Sequence, residues 1–249
     1  MLKKAVYFLV LGIFIYSSTQ GLWGLYQYYR NSRDYQQVRE IYQQSLNIGE
    51  KEDTESPNEH ENPNEKLFDK LLEINPDTVA WIFIENSNID YPVVQGVDNH
   101  YYLNINFNGV RNRGGAIFMD YRNNPIDFDQ NTIIYGHRMR DGSMFAHLTK
   151  FRDKDFFNNN DKIYLKTREG NYIFKVYSIY VTEANSYYIT PNFSTEEEYL
   201  QFLQYTRKNS IFKKEVELGI TDKILTLSTC SYEFDNARLV VHAKLMEQK

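Results

Sequence analysis

Between residues 79 and 245 the chain carries eight short runs rich in β-branched and aromatic residues, and this repetition confines the fold more than any other feature. The runs are 79–84 (VAWIFI), 89–95 (IDYPVVQ), 116–119 (AIFM), 132–136 (TIIYG), 162–167 (KIYLKT), 172–182 (YIFKVYSIYVT), 223–229 (KILTLST) and 238–245 (RLVVHAKL). Short strands bounded by turn residues predict a β-barrel or sandwich with helices added. A composition 42% hydrophobic and 16% aromatic supplies the core such a body needs. One helix interrupts the series, over about 195–209. Ser194 to Glu197 fits a capping box, glutamates fill the first turn, and Arg207 and Lys208 stand where the helix dipole favours cations.

The N-terminal third obeys a different pattern. After Lys3 and Lys4, residues 5–29 carry no charge, and 5–16 (AVYFLVLGIFIY) are strongly apolar. A helix over 5–26 would reach roughly 33 Å, about one hydrocarbon core. The dilysine predicts a cytoplasmic N-terminus, with Trp23 and Tyr26 at the far interface and the rest of the chain outside the cytoplasm. A cleaved signal peptide is the alternative, favoured by the short apolar core and opposed by the want of a clear small-x-small site. From Gln27 to Leu46, Tyr28, Tyr35, Val38, Ile41 and Tyr42 recur at helical spacing, which predicts a separate amphipathic helix. Residues 49–65 read as an acidic loop, and a short helix over 66–74 ends at the NPD of 75–77. The division expected is 1–26 as membrane anchor, 27–65 as helix and acidic loop, and 66–249 as the β-rich domain.

Net charge is −5, but residues 50–65 hold seven acids against one lysine, a net of −6, so the remainder stands near +1. Nothing in that balance points to a nucleic-acid partner. The single cysteine, Cys230, cannot form an internal disulfide, thiolate metal sites usually need several, and no metal-ligand cluster is apparent, so no metal or other cofactor is expected. Three readings remain for the thiol: a nucleophile, an exposed redox group, or a small buried hydrophobe. Alternation separates Leu225 and Leu227 from Thr226, Ser228 and Cys230, and separates the apolar Leu239, Val241 and Ala243 from Arg238, His242 and Lys244. If the seven residues between Cys230 and Arg238 close an antiparallel hairpin, the two become cross-strand neighbours on the face away from the core.

A cysteine nucleophile needs a proton-handling partner. Of five histidines, His60 falls in the acidic stretch, His100 in a turn (DNHYY) and His147 on a short helix after GSMFA. His242 lies about four residues beyond Arg238 along its strand, roughly 13 Å away. His137, ending the strand NTIIYGH before the loop RMRDGSM, is the best placed of the five. No acidic residue stands out to orient it.

These stretches resemble the class B sortases, membrane-anchored cysteine transpeptidases of Gram-positive bacteria. TLSTC ending at Cys230, RLVVHAKL from Arg238 and YGHRMRDGSMF around His137 look like the family's three catalytic segments; NPDTVAWIFI, IDYPVVQGVDNHYYL and KDFF add matches, over roughly 66–246. The resemblance implies a closed, eight-stranded mixed barrel with its site in a groove on the wall. It implies Cys230 as nucleophile, His137 as general acid and base, and Arg238 as oxyanion or substrate donor. Substrate contacts would correspond to Asn99, Leu103, Tyr188, Ile189 and Ser228. It further implies cleavage of a C-terminal sorting signal resembling NPQTN after threonine, through a thioester, with transfer to an amine of peptidoglycan or its lipid-linked precursor. Readings outside this one are a hydrolytic cysteine peptidase, a pilin-polymerising relative, and an anchored binding module with a structural cysteine.

Overall fold

The computed structural model describes residues 2–52 and 63–248. Each of the eight predicted strands is present: β1 (Thr78–Phe83), β2 (Asp90–Val94), β3 (Ile117–Met119), β4 (Asn131–Tyr135), β5 (Lys162–Lys166), β6 (Asn171–Glu183), β7 (Ile224–Cys230) and β8 (Ala237–Gln248). They close into a barrel in the order β1-β2-β3-β4-β7-β8-β6-β5. Two junctions are parallel, β2 with β3 and β4 with β7, and the others are antiparallel. Parallel neighbours need crossovers rather than hairpins. The β2–β3 crossover therefore carries Asn99 and Leu103, and the connection leaving β6 carries Tyr188, Ile189 and a helix. Inside the barrel Ile82, Val93, Ile117, Ile134, Leu165, Phe174, Leu225, Leu227 and Val241 are sealed from solvent in one cluster.

The helices are α1 (Leu2–Glu52), α2 (Pro63–Ile74), α3 (Lys154–Asn159) and α4 (Glu196–Asn209). Anchor and amphipathic helix, expected as two elements, are one continuous helix. No proline falls between 2 and 52, so the change from all-round apolar to one-sided occurs without a break. Its first half exposes Val6 to Ile15, Trp23 and Tyr26, while Asn31, Tyr35, Val38 and Tyr42 of the second half are buried. Tyr42 stacks on Trp81 at 3.8 Å between ring centroids, and Tyr35 meets Tyr91 edge-on at 5.2 Å. The helix is thereby fastened to the wall formed by β1 and β2.

The stretch 49–65, expected as an acidic loop, is helical at both of its described ends. Residues 49–52 complete α1 and 63–65 open α2, while 53–62, with His60, lie outside the described residues. Pro63, inside the stretch expected as loop, is the first residue of α2, a position at which a missing N–H costs nothing. The capping box of α4 stands one residue later than predicted. Thr195 is the N-cap and accepts from Glu198 N at 3.1 Å, and the Glu198 carboxylate accepts from Ser194 N at 2.9 Å.

The outer face of β7 and β8 also departs from expectation. Thr226, Ser228 and His242 are buried, as are Phe202 and Leu203 of α4 that pack in this layer. His242 shares a hydrogen bond with Thr226 Oγ1 at 2.8 Å and with Tyr180 OH at 2.9 Å. This face emerges at Cys230 and Arg238, both half-buried, and again at Lys244 toward the other end of β8.

Candidate active site

Strand register explains how three distant stretches meet. In the parallel pair, Tyr135 of β4 stands opposite Ser228 of β7. His137 and Cys230 each follow by two residues, so they leave adjacent strands abreast. Two bonds extend the ladder to that level: Gly136 N donates to Ser228 O at 3.2 Å, and Thr229 Oγ1 donates to Gly136 O at 2.8 Å. Across the antiparallel pair, Cys230 is registered with Arg238. Histidine, cysteine and arginine thus form one row over three neighbouring strands, with neighbouring strands about 4.8 Å apart. Gly136 makes the row possible, because a Cβ there would lie 2.4 Å from Ile117 Cδ1 and 2.8 Å from Phe145 Cδ2.

The row opens on a cleft of about 450 Å³ lined by Asn99, Leu103, Tyr188, Ile189 and Ser228 as well as by His137, Cys230 and Arg238. All eight residues singled out in the sequence therefore share one cavity. His137 Nε2 lies 2.8 Å from the carbonyl oxygen of Leu103. A carbonyl only accepts, so Nε2 carries a proton, and Nδ1 is the nitrogen left for the hydrogen bond with the Cys230 thiol. That bond raises the histidine pKa above its ordinary value, against burial, and the Leu103 carbonyl adds to the rise. It lowers the cysteine pKa, again against burial, and the charges of Arg238 and His137 lower it further. Both shifts favour a thiolate beside an imidazolium, the form in which sulfur is nucleophilic and nitrogen can give a proton. Arg238 directs Nη1 to the carbonyls of Ala237 at 3.0 Å and Asn236 at 3.3 Å, while its guanidinium lines the cleft.

Several residues of the site carried no sequence signal. The orienter of His137 is a main-chain carbonyl, which no residue type announces. Asp120, wholly buried, accepts from Arg122 Nε at 2.8 Å and Nη2 at 2.7 Å, from Asn99 Nδ2 at 2.9 Å and from Tyr135 OH at 2.9 Å. Burial alone would raise its pKa, but the hydrogen bonds, those from Arg122 first, hold it below the usual carboxylate range. Arg122 Nη2 also donates to Ile189 O at 2.7 Å. The pair therefore ties the wall carrying Asn99 to the wall carrying Ile189. Tyr188 forms part of the floor, its hydroxyl accepting from Ser228 Oγ at 3.2 Å and donating to Ala184 O at 3.2 Å.

Comparison with known proteins decides what kind of cysteine site this is. The model of the sortase domain matches residues 82–246. The chain belongs to the sortase family. Within that family it is of class B: it is 34% identical to sortase B of Listeria monocytogenes over 247 residues, covering 98% of this chain and 97% of the relative. Among solved structures, sortase B from Bacillus anthracis in complex with AAEK1 aligns with a TM-score of 0.77 and 40% identity, over 90% of this chain and 99% of that one. A Staphylococcus aureus sortase B–substrate complex aligns with a TM-score of 0.77 and 32% identity, over 88% and 97%. This sortase is accordingly a cysteine transpeptidase of cell-wall anchoring, built on the family's mixed eight-stranded barrel. Sortases act on surface proteins bearing a sorting signal and on a peptidoglycan amine, and they are membrane-anchored in Gram-positive bacteria. Helix α1 contains one stretch, Val6–Ser45, that includes a window long and apolar enough to cross a bilayer.

Proposed function

We propose that Cys230 is the nucleophile, His137 the proton carrier and Arg238 the oxyanion donor of sorting-signal transpeptidation in this chain. The row of His137, Cys230 and Arg238 at the mouth of the cleft carries the proposal. The Cys230 thiolate attacks the carbonyl carbon of a threonine in an NPQTN-like signal, and Arg238 faces the oxygen on which negative charge develops. Collapse of that adduct breaks the peptide bond as His137 Nδ1–H protonates the departing amine, leaving a thioester on Cys230. An amine of peptidoglycan or its lipid-linked precursor then attacks the thioester. Its proton passes to Nδ1, the C–S bond breaks, and the thiolate returns beside the imidazolium. Asn99, Leu103, Tyr188, Ile189 and Ser228 form the walls and floor against which the signal peptide lies.

Residues 1–26 serve as a membrane anchor with the N-terminus cytoplasmic, 27–65 as an amphipathic helix and acidic loop, and 66–249 as the catalytic domain outside the cell. The exposed apolar residues in the first half of α1, against the buried Tyr35, Val38 and Tyr42 in its second, favour the boundary near 26. The test is the full chain in detergent with a fluorogenic NPQTN peptide and an added amine, followed by intact-mass analysis. An acyl-enzyme adduct on Cys230, an amide product that requires the amine, and silence of Cys230→Ala are expected. Release of the free acid at the same rate with and without amine would instead identify a hydrolase.

A further inference from the structure

A second hollow, of about 300 Å³, opens beyond the catalytic row, lined by Arg138, Arg140 and Tyr232 among others. Arg138 directly follows His137, and Tyr232 comes two residues after Cys230. The hollow and the substrate cleft therefore draw on the same two chain segments that carry the reacting pair, and they share no lining residue.

The charges around this hollow are unevenly used. Arg138 lies with Cζ 4.9 Å from the centroid of the Tyr232 ring, which is 70% exposed, and Arg140 is exposed. Neither arginine has an ion pair among the described residues. The neighbouring carboxylates are engaged elsewhere: Asp141 accepts from Ser143 N at 3.0 Å and from Ser143 Oγ at 2.6 Å, and Glu233 is bound to Arg152 and to the Ser231 hydroxyl. Asp235 is exposed in the same β7–β8 loop. Lys150 donates to Asn86 O at 2.9 Å, and His147 accepts from Asn88 N at 2.9 Å through Nδ1, which keeps its ring neutral. Two guanidinium forks are thus left open next to the reacting pair. A guanidinium held over an aromatic ring face still offers N–H donors to a planar, bidentate acceptor.

We infer that Arg138 and Arg140 form a carboxylate-binding subsite for the incoming amine acceptor, on the side of the catalytic row away from the sorting signal. The donor peptide fills the cleft of Asn99 and Ile189, so the second reactant approaches from the other side. An acceptor with a peptide carboxylate near its amine is drawn to this pair and held while the amine reaches the thioester. Such a role presupposes the amine-transfer step proposed above.

The experiment compares diglycine, triglycine and tetraglycine, each as free acid and as C-terminal amide, as acceptors for the full chain acylated by the sorting peptide. Within each length the reacting amine is nearly unchanged, so the acid-to-amide rate ratio reads the carboxylate alone. The expected ratio is roughly three- to tenfold above one for at least one length at low salt, falling as salt is added. In Arg138→Gln/Arg140→Gln it should fall to one at that length. Because the ratio is internal to each protein, a partly misfolded variant does not distort it. A ratio of one at every length in the unaltered enzyme, or a preference that survives the double substitution, overturns the assignment. If the ratio is one while inorganic pyrophosphate competes with triglycinamide, the arginines read the lipid-linked precursor's phosphates and the carboxylate assignment falls. No amide product with any acceptor would overturn it together with the transpeptidase reading, an outcome separate from a ratio of one.

Discussion

Replacing Asp120 by alanine should weaken the enzyme through its cleft rather than its chemistry. The carboxylate is fully buried and holds Arg122 by two bonds of 2.8 and 2.7 Å, with Asn99 and Tyr135 at 2.9 Å each. Removing one partner of a buried ion pair costs about 3–5 kcal/mol. Here the Arg122 side chain is 37% exposed and can recover part of its hydration, so the lower end, about 3 kcal/mol, applies. At roughly 2–4 °C per kcal/mol for a domain of this size, melting should fall by about 6–12 °C. Freed from Asp120, Arg122 no longer ties Ile189 to the Asn99 wall, so KM for the sorting peptide should rise more than kcat falls. Asp120→Asn keeps the shape and removes only the charge. The native carboxyl has a depressed pKa, so its stabilisation is full above the unfolded value of about 3.9 and disappears as pH falls through the lower folded value. The asparagine variant should lack that acid-side loss. Calorimetry in detergent from pH 2.5 to 7, with steady-state kinetics at pH 7, measures both effects. A melting point for Asp120→Ala within about 1 °C of the parent, with KM unaltered, would refute the tie between the two walls.

Three further outcomes follow from the same geometry. Arg238→Lys keeps the charge but loses the planar fork, and kcat/KM should drop about a hundred- to a thousandfold; turnover near the parent value removes Arg238 from the oxyanion role. Alkylation of Cys230 by iodoacetamide should show an apparent pKa below the ordinary thiol value of about 8.5, and His137→Ala should move it upward, since the histidine bond is the largest cause of the shift. A pH profile identical in the two proteins would contradict this. Burial lowers the His242 pKa to about 3. The unfolded chain takes up that proton near pH 6.5 and the folded one does not, so stability is full above 6.5 and declines as pH falls between those values. The loss at pH 5 should be about 2 kcal/mol, and His242→Gln should flatten it, as urea unfolding at pH 5 and 7.5 will show.

The strands were legible because alternation of apolar and polar residues is a local property, and the Cys230–Arg238 pairing because only seven residues separate them. His137 stood out as a histidine at a strand end, but nothing local says that β4 runs parallel beside β7; that neighbourhood is set by barrel closure, and only the family resemblance anticipated it. Thr226 and His242 looked like an outward polar face because the sequence does not reveal that α4 covers them and that they satisfy one another. The unbroken α1 was not legible for a similar reason, since its wholly apolar and its one-sided halves differ in composition while both favour helix. Asp120 and Arg122 are one residue apart on either side of Tyr121, an unremarkable spacing until the fold brings Asn99 and Ile189 to them.

The continuity of α1 turns its residue count into a length. At 1.5 Å per residue its 51 residues make a rod of roughly 77 Å, clamped to the barrel through Tyr35 and Tyr42. With its first half set in a bilayer, each residue added to such a rod ahead of that clamp would move the catalytic mouth by about 1.5 Å along the helix, with no joint between to absorb the change.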